Sequence, residues 1–264
     1  MNLDSISRLA HSAVIETGEF LRSLSSTERG IAGTEIDGRE VKLHADRRAH
    51  DFLSKLLSKT GIPIISEEDK QSHSYDLGEA WVIDPLDGSY NFTRNLGHSV
   101  VSCAYVTNGI PRYGALFDIV SESVYAGGAE IPSTKDGAPI RCTNTDELTR
   151  AVLCTGFPAR FSFDSRGSTD GYFAFMSSFA KVRMVGSAAH SLCLLAQGSA
   201  ECYAERSIMF WDVAAGLAVA QGAGAKVLLP DKFSFEPLSV ILTNASLAKH
   251  VAKLVEDSRA FHHY

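Results

Sequence analysis

The sequence predicts a mixed α/β (α+β) protein built in two lobes, and three observations carry that prediction. Two amphipathic helical patterns open the chain, short β-rich runs joined by polar turns follow, and the second half alternates strand with helix. With 264 residues, 45% of them hydrophobic and 21% charged, the chain can bury a large core as one two-lobed domain or two intimately packed ones. The division falls between residues 1–145 and residues 146–264.

Leu3, Ile6, Leu9, Ala13, Val14, Phe20, Leu21 and Leu24 recur near the helical period, and Ala49, Phe52, Leu53 and Leu56 repeat it from Ala45 to Lys59. Ser25 to Arg39, rich in Ser, Thr, Gly and charge, reads as a mobile loop. Ile62-Pro63-Ile64-Ile65 is a short buried strand that stops at Ser66-Glu67-Glu68-Asp69, and the Trp81 to Ile83 strand stops at Asp84. Val100 to Val106, Tyr113 to Asp118 and Ser123 to Ala126 suggest an antiparallel meander with a turn at Asn108-Gly109. Strands are then expected at 151–155, 182–185, 201–204 and 226–229, with helices at 171–180, 187–197 and 211–221 between them. A strand at 240–243 and a helix from Leu247 to about Ser258 close the chain. There is no internal repeat and no low-complexity tract.

The net charge of −6 and pI near 5.8 argue against nucleic acid or an anionic membrane surface as partner, since both need clustered Lys and Arg. Five scattered cysteines, Cys103, Cys142, Cys154, Cys193 and Cys202, form no C-x-x-C pair and suit a reducing cytosol. The first twenty residues carry Asp4, Arg8 and Glu16, so neither an export signal nor a membrane span is expected, and the expected location is cytoplasmic.

Four acids share an odd context. Glu67 and Asp84 each end an apolar run, Asp87 follows in Asp84-Pro85-Leu86-Asp87-Gly88-Ser89, and Asp212 interrupts Phe210-Trp211-Asp212-Val213-Ala214-Ala215. Buried together without a partner, like charges are very costly, and no Lys or Arg beside them in sequence neutralises the set. A hard divalent cation such as Mg²⁺ accounts for oxygen-only ligands of this kind. Any one of these acids alone fits a solvated turn or a helix cap, and it is the set that points to metal. Glu68 and Asp69 read as solvated neighbours of Glu67, because adjacent residues at a strand end face opposite sides. A helix or turn starting at Ser89 would offer amides to a phosphate, with Gly88 allowing close approach. Val185-Gly186-Ser187-Ala188-Ala189 is a second small-residue turn into a helix, and tight packing alone accounts for it.

Other chemistries lack their motifs: no G-x-x-x-x-G-K-[ST], no G-x-S-x-G, no H-E-x-x-H, and Gly222-Ala223-Gly224 follows a helix instead of opening one. Asp84 and Asp87 are spaced D-x-x-D, where an aspartyl-phosphate enzyme wants D-x-D. His44, His50, His262 and His263 have no ligand spacing and read as surface or core histidines.

Ser66-Glu67-Glu68, then Trp81 through Phe92, then Trp211-Asp212-Val213-Ala214-Ala215-Gly216 resemble the three signatures of the inositol monophosphatase family, in order and across nearly the whole chain. The resemblance implies a layered α-β-α-β-α sandwich of the inositol monophosphatase/fructose-1,6-bisphosphatase type, usually a homodimer, with two or three Mg²⁺ ions per site and lithium sensitivity. It implies Glu67, Asp84, the Leu86 carbonyl, Asp87 and Asp212 as metal ligands. Glu67 and the Ser89 hydroxyl, linked to Asp46, would orient a metal-activated water for direct attack on phosphorus. Gly88 and Ser89 match the phosphate cradle, and Gly186, Ser187, Ala188, Ala189 and Glu205 match the segment that contacts sugar or polyol hydroxyls. Departures are Ser89 where threonine is common, the Val41-Lys42-Leu43-His44-Ala45 stretch, and His190 after the small-residue turn.

The implied activity is hydrolysis of a phosphate monoester of a small sugar or polyol, best matched by inositol 1-phosphate, with a small phosphorylated metabolite as partner. Within the family, a 3'(2'),5'-bisphosphate nucleotidase, a fructose-1,6-bisphosphatase and a histidinol-phosphate phosphatase stay open. From another class, so does a non-catalytic regulator that keeps the fold. Glu205 favours a hydroxyl-rich leaving group over a second phosphate, because a carboxylate accepts hydroxyl hydrogen bonds and repels phosphate.

Overall fold

Helix α1 (Leu3–Ser23) starts where the Asn2 side chain accepts from the Ser5 amide, and it buries Ile6, Ala10, Ala13, Val14 and Leu21 along one face. Helix α2 (His44–Leu57) buries Ala45, Asp46, Ala49, Leu53 and Leu57, so one acid sits inside its otherwise apolar stripe. These details come from a computed structural model that describes residues 2–24, 35–37, 40–42, 44–69, 78–157, 166–230, 234, 236–258 and 260–261. Within the stretch read as a loop, Glu35–Asp37 forms strand β1, paired antiparallel with β2 (Glu40–Lys42). The remainder of that expected loop, and the histidines at 262 and 263, lie outside the described residues.

Seven strands form the first sheet in chain order: β3 (Ile64–Ser66), β4 (Glu79–Asp87), β5 (Val100–Thr107), β6 (Ile110–Asp118), β7 (Val124–Gly128), β8 (Ile131–Lys135) and β9 (Ala138–Pro139). Only β3 and β4 are parallel; the rest is the expected meander. Strand β4 does not stop at Asp84. It runs on to Asp87 through a bulge, three steps along β4 against two along β5. Pro85 is tolerated there because β3 pairs with β4 no further than Ile83, so the missing amide breaks no ladder bond on that edge. Strands β8 and β9 were not expected, because Ile131-Pro132-Ser133-Thr134-Lys135 has no apolar alternation. Its one buried residue is Ser133, whose hydroxyl donates to the Val219 carbonyl at 2.6 Å.

Five strands form the second sheet, in the order β11 (Lys181–Arg183), β10 (Val152–Cys154), β12 (Cys202–Ile208), β14 (Leu238–Thr243), β13 (Lys226–Leu229). The first three are parallel, and β14 is antiparallel to both neighbours. Between strands lie α3 (Ser89–Arg94), α4 (Arg166–Ser177), α5 (Ala188–Ala196) and α6 (Phe210–Gly222), and α7 (Ala248–Ser258) follows β14.

Side-chain alternation sets the layers. Trp81 and Ile83 face the core made with α1 and α2, whereas Ala80 and Val82 face the core made with α5, α6 and the second sheet. A third core joins the far side of that sheet to α4 and α7, with Tyr172, Phe175 and Val251 buried in it. The result is the layered α-β-α-β-α sandwich. Helix α6 lies between two sheets and is apolar on all sides, with Val213 through Ala220 buried. Its small residues let it approach both neighbours: a Cβ on Gly216 would meet Leu192 of α5 at 2.6 Å, and one on Gly114 of β6 would meet the Ala215 carbonyl oxygen at 2.1 Å.

That contact is backbone, which cannot turn aside. Gly114→Ala is expected to cost more than about 3 kcal/mol, roughly 6–12 °C in melting temperature for a chain of this size. Gly78→Ala, where an added Cβ meets nothing within 4 Å, serves as the control and should melt near the parent.

Candidate active site

Parity along the strands aims the acids. Asp84 continues the Val82 face of β4, and Glu67, in the turn after β3, continues the Ile65 face. Both therefore point toward the central helical layer, where Asp212 sits in the first turn of α6 and accepts from the Met209 amide at 3.1 Å. One carboxylate oxygen from each of Glu67, Asp84 and Asp212 lies within 4.8 Å of the others. Asp84 is 2% exposed.

Burial pushes the Asp84 carboxyl well above its ordinary value, Glu67, Asp87 and Asp212 add to the rise, and the Leu86 amide opposes it. Asp212 is raised in the same way by burial, Glu67 and Asp87, opposed by the Met209 amide. Groups that repel one another this strongly in a water-poor site call for a cation, and an all-carboxylate donor set suits a hard divalent ion. The residues fit a metal centre of that kind.

The bulge in β4 brings in the rest. The Leu86 amide donates to Asp84 Oδ1 at 3.0 Å. Gly88 follows with φ +80°, and a Cβ there would meet the His98 carbonyl oxygen at 2.6 Å, so glycine is required twice over. Ser89 opens α3, and its hydroxyl lies 2.9 Å from Asp46 Oδ1 and 2.8 Å from the Leu86 carbonyl, one proton serving two acceptors. The link between Ser89 and Asp46 explains the acid inside the apolar stripe of α2.

Asp87 stands apart from the three-acid group. Its Oδ2 accepts from the Ser187 hydroxyl at 2.6 Å and from the Ala189 amide at 2.7 Å. Ser187 also caps α5 by accepting from the His190 amide at 3.0 Å. Asn91 ties α3 to the same turn through the Val185 carbonyl at 2.7 Å, and Gly186 has φ +73°. Gly186, Ser187, Ala188 and Ala189 thus form the seam between the two sheets' loops, with Asp87 docked on the start of α5. Burial raises the Asp87 carboxyl to about 6, while its bonds to Ser187, Ala189 and Gly88 lower it.

Glu205 is 7% exposed, on β12, and accepts from the Tyr203 hydroxyl at 3.0 Å. A Cβ on Gly156 would come within 2.8 Å of Glu205 Oε1, so that glycine leaves the carboxyl its slot. Burial raises Glu205 to about 8, Tyr203 opposing and Asp87 adding. Tyr203 was missed in the sequence, although its spacing of two from Glu205 on a strand would have placed both on one face. His190 is buried, its Nε2 3.1 Å from His98 Nδ1, and burial drops it to about 4. No sequence signal linked those two rings.

The model of the inositol monophosphatase family matches residues 2–260. The inositol-1-monophosphatase of Mycobacterium leprae is 35% identical over 246 residues, 85% of this chain and 83% of that protein. The Nus factor SuhB of Vibrio cholerae is 30% identical over 213 residues, 78% of each chain. The solved inositol monophosphatase of Anabaena superposes with a TM-score of 0.82 at 26% identity, covering 97% of both chains. The chain belongs to the inositol monophosphatase family, and it is a phosphoric monoester hydrolase. Among the described residues no helix is long and apolar enough to cross a membrane.

A carboxyl raised in the fold keeps its proton where the unfolded chain has lost it. Its stabilising contribution is therefore complete below the unfolded value of 3.8 and is lost as pH rises toward the folded value. In chelator, the parent and Asp212→Asn, which keeps an acceptor for the Met209 amide, are expected to melt together near pH 4. Near pH 8 the variant should be the more stable by on the order of 1–4 kcal/mol, the upper end being two unit charges at about 4 Å in an effective dielectric of about 20. Thermal melts at the two pH values measure this, and a variant that melts below the parent near pH 8 makes Asp212 a structural acid.

Proposed function

We propose that this protein hydrolyses the phosphate monoester of a small sugar or polyol, inositol 1-phosphate being the best candidate, with Mg²⁺ as cofactor and water as the direct nucleophile. The observation that carries the proposal is the Ser89 hydroxyl bonded to Asp46 at 2.9 Å beside the converged Glu67, Asp84 and Asp212. Two or three Mg²⁺ ions, held by Glu67, Asp84, the Leu86 carbonyl, Asp87 and Asp212, would polarise the phosphate, lower the pKa of water and stabilise the leaving oxygen.

The chain's own residues do the rest. With its proton given to Asp46, Ser89 Oγ offers lone pairs to an incoming water and orients it, and Glu67 takes part from the other side. The Gly88 and Ser89 amides receive the phosphate. Water oxygen bonds to phosphorus as the ester P–O bond breaks, the attacking water sheds its proton to solvent and the leaving alkoxide takes one up from solvent, so no bond forms between enzyme and phosphorus. Glu205, held by Tyr203, accepts hydroxyls of the leaving group, and the Gly186 to Ala189 turn, docked on Asp87, offers further contacts to them. Burial raises Glu205 to about 8, so it carries its charge only above that pH or where cations bound at the neighbouring acids bring the value down. So ionised, it disfavours a second phosphate, which weighs against the bisphosphate nucleotidase and bisphosphatase readings. The five thiols, all free, suit a cytoplasmic location, and a homodimer sensitive to Li⁺ is the form the family suggests.

A relative named as a Nus factor keeps open a role in binding a macromolecule. The intact acid set favours hydrolysis, because a binder gains nothing from so costly a cluster.

Phosphate release from a panel of monoesters tests the proposal. Activity should require Mg²⁺ and vanish in excess chelator, and ¹⁸O-water should label inorganic phosphate; full activity in chelator, or a phospho-aspartate trapped at Asp84 or Asp87, sinks it.

Glu205→Gln tests the substrate end. Loss of a charge-assisted hydrogen bond, worth roughly 1.5–3 kcal/mol, should lower kcat/KM for the polyol phosphate about ten- to a hundredfold and spare p-nitrophenyl phosphate. Equal losses on both esters would make Glu205 a structural residue, and a gain on a bisphosphate would move the substrate to that class.

A further inference from the structure

Asp46 and His50 lie one turn apart on α2 and so face the same way. Each meets a hydroxyl that borders the acid cluster: Asp46 that of Ser89, and His50 that of Ser66, whose Oγ is 2.9 Å from His50 Nδ1. Ser66 ends β3, a three-residue strand that among the described residues lies at the sheet edge and pairs with β4 alone. Glu67 is the first residue of the turn that leaves this strand, and its amide keeps one long bond to β4, to the Ile83 carbonyl at 3.4 Å.

Side chains supply what the strand does not. The Ser66 amide donates to Asp69 Oδ2 at 3.2 Å, the Asp69 amide to the Ser66 carbonyl at 3.1 Å, and the Glu68 amide to Ser66 Oγ at 3.3 Å. His50 Nε2 faces Asp69 Oδ1 at 3.9 Å. Ser66 Oγ, which accepts the Glu68 amide, keeps its own proton to donate, and the tautomer with Nδ1 bare receives it at 2.9 Å. Asp69, expected to be a solvated neighbour, instead closes the turn, and His50, expected to be a surface or core ring, latches that turn to α2.

The geometry points to His50 as a positioning residue for Glu67: through Ser66 and Asp69 it holds the Glu67 turn against α2, so that one helix face registers both Glu67 and Ser89. This rests on the reading of Glu67 as a metal ligand. His50 is not itself a ligand, since both its nitrogens are directed at Ser66 and Asp69.

Mn²⁺ titration of the metal-free protein by calorimetry, beside the Mg²⁺ dependence of phosphate release, tests the assignment on the parent, His50→Ala and His50→Asn. Asparagine Oδ1 stands where Nδ1 was and can accept from Ser66. His50→Ala should raise both the Mn²⁺ Kd and the half-saturating Mg²⁺ about fivefold, the loss expected of one neutral hydrogen bond. KM for the ester at saturating Mg²⁺ should not move, and His50→Asn should restore most of the affinity. Unchanged Mn²⁺ affinity in His50→Ala, or equal losses in Ala and Asn, overturns the assignment. If His50→Ala does not fold, His50→Gln, which reaches the Nε2 position but not Nδ1, replaces it: Gln weak with Asn near parent supports the latch, and the two alike overturns it. A parent that binds no Mn²⁺ overturns the metal reading, and the His50 assignment with it.

Discussion

Repulsion among buried carboxylates is the constraint around which the centre of this molecule is arranged. Glu67, Asp84 and Asp212 each reach the same few ångströms from a different element, and Asp84 and Asp212 are both raised by burial and by their fellow acids. Such a cluster weakens the fold unless a cation compensates it, so its presence is a statement about function. The surrounding structure is correspondingly close-packed. Apolar layers enclose α6 on both sides, and the small residues of that helix bring it so near β6 that a single Cβ would not fit.

Placing acids from two sheets together takes a break in strand regularity. Residues three apart on an ideal strand face opposite sides, so Asp84 and Asp87 could not both look inward from an unbroken β4. The bulge between them inserts one residue and changes the parity, and Pro85 falls within it. The same irregularity delivers Gly88 in a left-handed conformation and starts α3 at Ser89. Strand pairing, the facing of Asp84 and Asp87, and the start of α3 are thus set by one local departure from the sheet.

Much of this was legible in the sequence, for a physical reason. Long amphipathic and apolar runs are decided by burial, which is written residue by residue, so α1, α2, α6 and the meander fell where the periodicity put them. The acids were visible because each contradicted the run it interrupted. What was not legible depends on contacts between distant segments. Nothing in the Asp87 neighbourhood announces that Ser187, a hundred positions on, will donate to it. Strands β8 and β9 carry no alternation, because Ser133 is buried for its hydrogen bond to α6 and not for apolar area. His50 and Asp69 looked ordinary because their role lies in a turn that sequence spacing does not draw.

The acids also differ in how far each is already satisfied, and the differences follow the donors each one has. Asp87 is opposed in its rise by Ser187, Ala189 and Gly88, and it settles at about 6. A carboxylate at the first turn of α5 meets amides and the positive end of a helix dipole, which favour its charge. Asp84 has the Leu86 amide and Asp212 has the Met209 amide as its lowering contact, and both remain well above the ordinary range. The need for a cation is therefore greatest between β4 and the start of α6, with Glu67 as the third oxygen donor. Asp87 can neutralise itself in part against the protein, and it ties the end of β4 to the α5 turn by direct hydrogen bonds from Ser187 and Ala189. Whatever draws on its second oxygen acts on the same carboxylate that Ser187 and Ala189 hold, so the charge at the acid cluster and the docking of α5 on β4 are linked through one residue.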